Sequence, residues 1–417
     1  MMTPNRILGP SKGGARITVA RPSQSGFTLI ELMVAVVLGL LIMAALSTIF
    51  VNISRTNNEM AKTNAQIENG RFAMQILQDD IVHAGYWGGY VPQFDDMTAT
   101  VAPTDAPTDT PLPTPVSDLC RAFASWNAAY QSNLIAIPVQ SYDDTPAGCA
   151  AVVTNKKANT DVLVVRHVET CLPGAANCEA DTAGKLYFQP SFCELEIAGG
   201  QRYKFDNTTG FTTLGTGLHQ RNCVGSGSPQ ALPIASGAFA AKRKFISNIY
   251  YVRDYALTVG DGIPTLMLSQ FDAAGGVLSH QPAVPLIEGI EGFMVEFGID
   301  SIGDAGTVVD YTQAATWADP LNRVTLLNRG DGAPDGAFVR CTTAVPCTAT
   351  QLANVVAVKL YVLARNKEST SSHADVKTYA LGATTLGPFT GDQAKYKRHV
   401  FSTTVRLTNI SGRRETP

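Results

Sequence analysis

The feature that most constrains this chain is a run of 25 residues, Phe27 to Val51, in which Glu31 is the only charged side chain. As a helix at ~1.5 Å per residue it is long enough to cross ~30 Å of hydrocarbon. An ionised carboxylate there costs ~2.5 to 3.5 kcal/mol on the gentlest scales, so an acid kept in such a run answers to a specific need. A secretory signal peptide predicts a shorter apolar core followed by a small-residue cleavage site. This run has no Ala-x-Ala-like site and continues into helix-compatible sequence, so it reads as an anchor. Upstream, Arg6, Lys12, Arg16 and Arg21 have no acidic companions, whereas Arg55 and Lys62 beyond the span are interleaved with Glu59 and Glu68. That bias places the leading segment in the cytoplasm.

Gly26, Phe27 and Glu31, preceded by a basic leader, resemble the type IV prepilin signature. In that family a prepilin peptidase cuts after the glycine and methylates the new terminus. The resemblance implies a leader at 1–26 and a mature chain starting at Phe27, with Glu31 fifth. Glu31 then lies about 6 Å along the helix from the new amine. Its carboxylate is eased by the helix N-terminus and can attract the ammonium of a neighbouring subunit, which favours the docked, registered state.

No proline occurs between Pro22 and Pro92, and residues 52–84 are rich in helix-tolerant side chains. Ile53, Met60, Ile67, Met74 and Ile81 recur every seventh residue and predict the inward face, with Thr56, Thr63, Gly70, Leu77 and Ala84 as a weaker companion row. Gly85, Gly88 and Gly89 predict the stop. Glu68 to Ala73, Asp80, Ala84 to Gly88, Trp317, Val355 to Lys359 and Arg398 to Leu407 resemble the PilW family of type IV pilus minor pilins.

Residues 98–117 carry five prolines among threonines and aspartates and read as a linker or exposed loop. Beyond it, Asn133–Val139, Asp161–Val168, Cys193–Ile197, Phe245–Arg253, Thr265–Phe271, Ile290–Ile299, Asn354–Leu363 and His399–Asn409 read as strands. The expected fold class is α+β, a long N-terminal helix, membrane-spanning then amphipathic, on a mainly antiparallel sheet. The expected division is leader 1–26, helix 27–90, loop 91–120 and a β-rich head 121–417. Cysteines at 120, 149, 171, 178, 193, 223, 341 and 347 all follow the span and imply an oxidising compartment. Proximity favours Cys171 with Cys178 and Cys341 with Cys347, then Cys120 with Cys149 and Cys193 with Cys223.

No nucleophile elbow, zinc-protease motif or phosphate-binding loop is present, and the six histidines are scattered, so no catalytic residue or enzyme activity is expected. Asp300, Asp304 and Asp310 are a calcium candidate, with Asp331 and Asp335 a weaker one. Against it, Ile302 sits where an oxygen ligand is needed, and Asp and Gly are ordinary turn residues. Net charge is -3, which gives no overall case for nucleic acid. Lys242 to Lys244 and Lys395 to Arg398 are basic clusters that fit a solvated face better than a phosphate-binding one.

Together the residues and the resemblance imply a minor pilin that primes a type IV pilus and is built into it, in a tip complex. The implied partners are other minor pilins, the major pilin, the prepilin peptidase, the inner-membrane assembly platform and the membrane itself through 27–51. Large size favours a minor subunit. The alternatives are a pseudopilin of type II secretion, or a tip adhesin or DNA-binding subunit.

Overall fold

The computed structural model describes residues 26–95, 113–116, 118–193, 196–197, 199–208, 211, 216–220, 238–311, 315–322 and 324–415. The chain divides into two compact units, one ending at Asn58 and one beginning at Glu59. The fold is α+β. Its first element is α1 (Leu29–His83), 55 residues long. Every described residue up to Asn58 is exposed, and α1 is long and apolar enough to cross a membrane.

In the second unit, β1 (Val139–Tyr142), β2 (Val162–Val168), β3 (Tyr187–Pro190), β4 (Tyr203–Asp206), β5 (Arg243–Arg253), β6 (Thr265–Ala274), β7 (Val277–His280) and β8 (Val284–Glu288) form an antiparallel sheet. Strand β5 is its spine. It pairs with β2 on one side, and with β3 and then β6 on the other. A second antiparallel sheet has the order β15 (Arg398–Arg406), β12 (Val355–Arg365), β9 (Ile290–Ile299). Two small hairpins, β10 (Trp317–Asp319) with β11 (Val324–Leu326) and β13 (Tyr379–Leu381) with β14 (Thr384–Leu386), complete the strands. The shorter helices are α2 (Ala128–Ala136), α3 (Ala349–Ala353) and α4 (Thr408–Arg414).

From Glu59 on, α1 contributes to the main core. Ala73, Leu77, Ile81 and Ala84 meet Phe293, Val295, Leu360 and Val362 of the three-stranded sheet and Leu163, Val165 and Val252 of the larger one. Burying each such side chain contributes ~1.5 to 3 kcal/mol. From Gly70 on, the inward face is the predicted stripe: Met74 and Ile81 are buried together with the companion positions Gly70, Leu77 and Ala84. The start of the row is not packed, with Ile53 and Met60 more than half exposed. A Cβ on Gly70 would collide with the Phe401 ring, so the absent side chain is what lets β15 close on the helix.

The two outer edges of the small sheet differ. On β9, Phe293 O accepts from Asp161 N at 2.8 Å, Val295 N donates to the Asp161 carboxylate at 2.9 Å, and Phe297 exchanges backbone bonds with Val339. The carboxylate is fixed in turn by Arg340 at 2.5 Å. Strand β15 pairs with β12 on its inner side through nine residues without a register shift.

Two expected strands are not strands. Residues 133–136 belong to α2, because Asn127 caps its start by accepting from Tyr130 N at 2.8 Å, and β1 begins only after Pro138. At Cys193 the chain turns, with Ile197 N donating to Cys193 O. The Pro/Thr-rich segment falls mostly outside the described residues. Its end does not behave as a free linker: Val116 and Leu119 are buried in a second core around Trp87, whose indole donates to Ile135 O at 3.0 Å.

Candidate functional site

The amino-terminal signature sits at the start of α1. Gly26 and Phe27 are exposed, and nothing lies within 4 Å of a Cβ placed on Gly26. Thr28 is the residue before the first helical turn and Glu31 is in that turn. Thr28 N and Thr28 Oγ1 both donate to Glu31 Oε2, at 2.9 and 2.8 Å, while Glu31 N donates to Thr28 Oγ1 at 3.3 Å. This is a capping box, which satisfies backbone donors that a helix start otherwise leaves orphaned. The Thr-x-x-Glu spacing at Thr28 and Glu31 is the sequence signal of this cap. In the isolated chain the acid is a hydrogen-bonded cap.

In the second unit, polar side chains at intervals along α1 fix it to the sheets. Glu59 meets Lys397 at 2.7 Å and Thr370 Oγ1 at 2.8 Å, and these two hold its pKa down to about 2. Gln66 donates to Ala364 O, Asn69 to Glu288 O and Gln78 to Thr403 Oγ1. Asp80 accepts from Asn248 at 3.0 Å and Tyr250 at 2.9 Å, with His167 Nε2 at 2.8 Å. Burial and the Asp80 charge push the Tyr250 hydroxyl well above its ordinary value. The helix ends where Asn409 donates to the carbonyls of Val82 and Ala84, and Gly85 turns away with φ +74°. A side chain there would need a left-handed backbone.

Disulfides join Cys120 to Cys149, Cys171 to Cys178 and Cys341 to Cys347. Cys193 is also disulfide-bonded, while Cys223 lies outside the described residues.

The acidic residues weighed as calcium candidates are engaged within the protein. Asp300 is fully buried and holds Arg414 Nη1 at 3.1 Å and the amides of Asp331 and Gly332. Asp304 is exposed, and no group of three candidate ligands occurs among the described residues. A carboxylate already neutralised by a guanidinium is a poor cation ligand. Asp335 is likewise engaged, accepting from Ser301 N and Ile302 N at 2.7 Å. Arg414 also bonds Asp95, Asn354 and Tyr311, and partners 60 to 319 residues away leave no local pattern in the sequence.

The basic clusters are consumed internally. Lys242 pairs with Asp181 at 2.6 Å, Lys244 with Glu179 at 2.6 Å, and Arg243 donates to the carbonyls of Glu169 and Thr170. Lys395 meets Asp392, and Arg398 is buried between Glu291 at 2.5 Å and Asp375 at 3.0 Å.

No curated protein matches. A solved type IV-like pilin from Thermus thermophilus is similar at 12% identity, covering 60% of this chain and 79% of its own, with a TM-score of 0.25. Residues 249–409, running from β5 to α4, match the family model of Type IV Pilus-assembly protein W, and residues 21–47 match that of the prokaryotic N-terminal methylation motif. Both matches fall in one chain, with a membrane-length helix following the motif, and together they make the chain similar to a PilW-type prepilin over those two segments.

Proposed function

We propose that this chain is a minor pilin that primes assembly of a type IV pilus and becomes part of it, within a tip complex of minor pilins. The observation that carries the reading is the conjunction of the PilW match with a methylation motif on a helix long enough to span a membrane. Prepilin peptidase cuts after Gly26 and methylates Phe27. Before assembly, residues 27–51 hold the chain in the inner membrane with the disulfide-bonded head in the periplasm. After assembly it stands in the pilus at the cell surface, in contact with other minor pilins and the major pilin. The role is structural, with the inner-membrane platform supplying the work of extrusion. Burial of Val116 and Leu119 supports starting the head near residue 113 rather than 121. The PilW match favours a pilus over a secretion pseudopilus.

Glu31 serves assembly by exchange. Its carboxylate leaves or shares the Thr28 cap to meet a neighbour's terminal ammonium, and the capped state lowers the cost of waiting in lipid. Mass spectrometry of the mature terminus tests the processing step: methylated phenylalanine is expected, and a chain still starting at methionine overturns it. Deleting the gene should reduce fibre number in sheared preparations, whereas normal fibres that only fail to attach would point to an adhesin. Glu31→Ala should be cleaved normally yet be depleted from sheared pili. Wild-type levels there would remove the exchange from the account.

A further inference from the structure

The ladder of β15 defines which of its backbone groups are used. Leu407 N donates to Val356 O and Asn366 N donates to Lys397 O, so the odd-numbered residues of β15 face β12. The N–H and C=O of Val400, Ser402 and Thr404 therefore point the other way. No group among the described residues pairs with them. Ser402 and Thr404 are exposed and Val400 half-buried. Soluble proteins protect such edges with lysine, proline, bulges or covering loops. Between His399 and Val405 this strand has no charge, no proline and no register shift. The opposite edge, β9, is closed by Asp161 and Val339. Strand β8, another short edge, carries Pro285.

We propose that the outer edge of β15 is an interaction site that takes an extended strand from a different pilin subunit, by backbone pairing at Val400, Ser402 and Thr404. This rests on the reading of the chain as a filament subunit. The incoming segment is about five residues long, uncharged, and free of proline at its bonding positions. A second copy of this chain fits poorly. Glu59 lies at Lys397, Gly70 at Phe401, Gln78 at Thr403 and Val82 at Asn409, so α1 runs alongside β15 in the same direction. Antiparallel pairing of two identical edges would reverse one head against the other, which a fibre whose subunits share one direction forbids. A different subunit can offer its own strand while keeping its helix aligned.

The test uses full-length protein in piliated cells. Ser402→Pro removes an N–H that the inner ladder does not use, so folding should survive, read as an unchanged unfolding midpoint of the solubilised protein. Its amount in sheared pili should fall about tenfold, for loss of one main-chain bond and the obstruction of the incoming strand by the ring, while Ser402→Ala stays at wild-type level. A photo-crosslinking residue at Thr404 should yield an adduct with a chain that itself carries a prepilin signature, and Ser402→Pro should abolish it. Adducts only with another copy of this chain or with a non-pilin, or no adduct at all, would overturn the proposal. Wild-type protein absent from pili would overturn the filament reading. Wild-type protein present, with Ser402→Pro incorporated equally, would overturn the edge site alone.

Discussion

At Gly70 a missing side chain decides how a helix meets a sheet. Alanine there gains about 1 kcal/mol of helix propensity but must displace the Phe401 ring, at an overpacking cost of ~1 to 3 kcal/mol. Gly70→Ala should therefore lower the thermal midpoint, and in a Phe401→Leu background the same change should turn neutral or stabilising. A loss of equal size in both backgrounds would refute the contact. His280 works by protonation. Burial, with the Arg166 charge adding to it, brings its pKa down to about 3, and Ser247 and Ser269 flank the ring. The unfolded chain, near 6.5, takes up the proton first, so this contribution is present above about 6.5 and lost as pH falls toward 3, at up to ~1.4 kcal/mol per unit. Urea unfolding between pH 7 and 5 should decline less steeply for His280→Gln than for wild type. Equal slopes would clear His280. Neither residue was legible in advance, since both matter through what long-range folding brings against them, whereas Gly26, Phe27 and Glu31 stood out because charge is scarce around them.

At the scale of elements, strands with clear alternation or β-branched runs were readable: β2, β5, β9, β12 and β15 fall close to their expected spans. The run at Asn133 misled because a short apolar stretch suits helix and strand equally, and the cap at Asn127 decided it. The heptad row of α1 was legible over its outer half, where Met74, Leu77, Ile81 and Ala84 are buried. Its start at Ile53 and Met60 is exposed, and the polar anchor Asp80 is one that a hydrophobic pattern discounts. Asp80→Ala leaves His167, Asn248 and Tyr250 without their shared acceptor, and should cost ~2 to 4 kcal/mol. Hydrogen exchange should quicken along 66–84 in that variant, and unchanged protection there would deny the anchor. Arg414→Ala should cost ~3 to 5 kcal/mol by leaving buried Asp300 without its cation and Asp95 with Arg413 alone, measured by urea unfolding. Arg414→Lys should recover only part of this, since one ammonium cannot fork to both acids.

For the molecule as a whole, the α+β class followed from one apolar run and a series of strand-like segments, but the division into two sheets did not. Pairings such as Lys359 with Glu296 join distant sequence and carry no local mark. The disulfides set a graded resistance to unfolding. Cys120–Cys149 closes a separation of 29, against 7 for Cys171–Cys178 and 6 for Cys341–Cys347. Chain-entropy scaling gives about 3.5 kcal/mol for the first and about 2.3 for the shorter two. Double Cys→Ser variants should rank in that order in thermal unfolding, and a larger loss from either short loop would contradict the scaling. The small sheet, finally, is closed along β9 and open along β15. Growth through it has a valence of one. It can admit a single neighbour and then stop, so even full occupancy seats one guest and cannot run on into an endless ribbon.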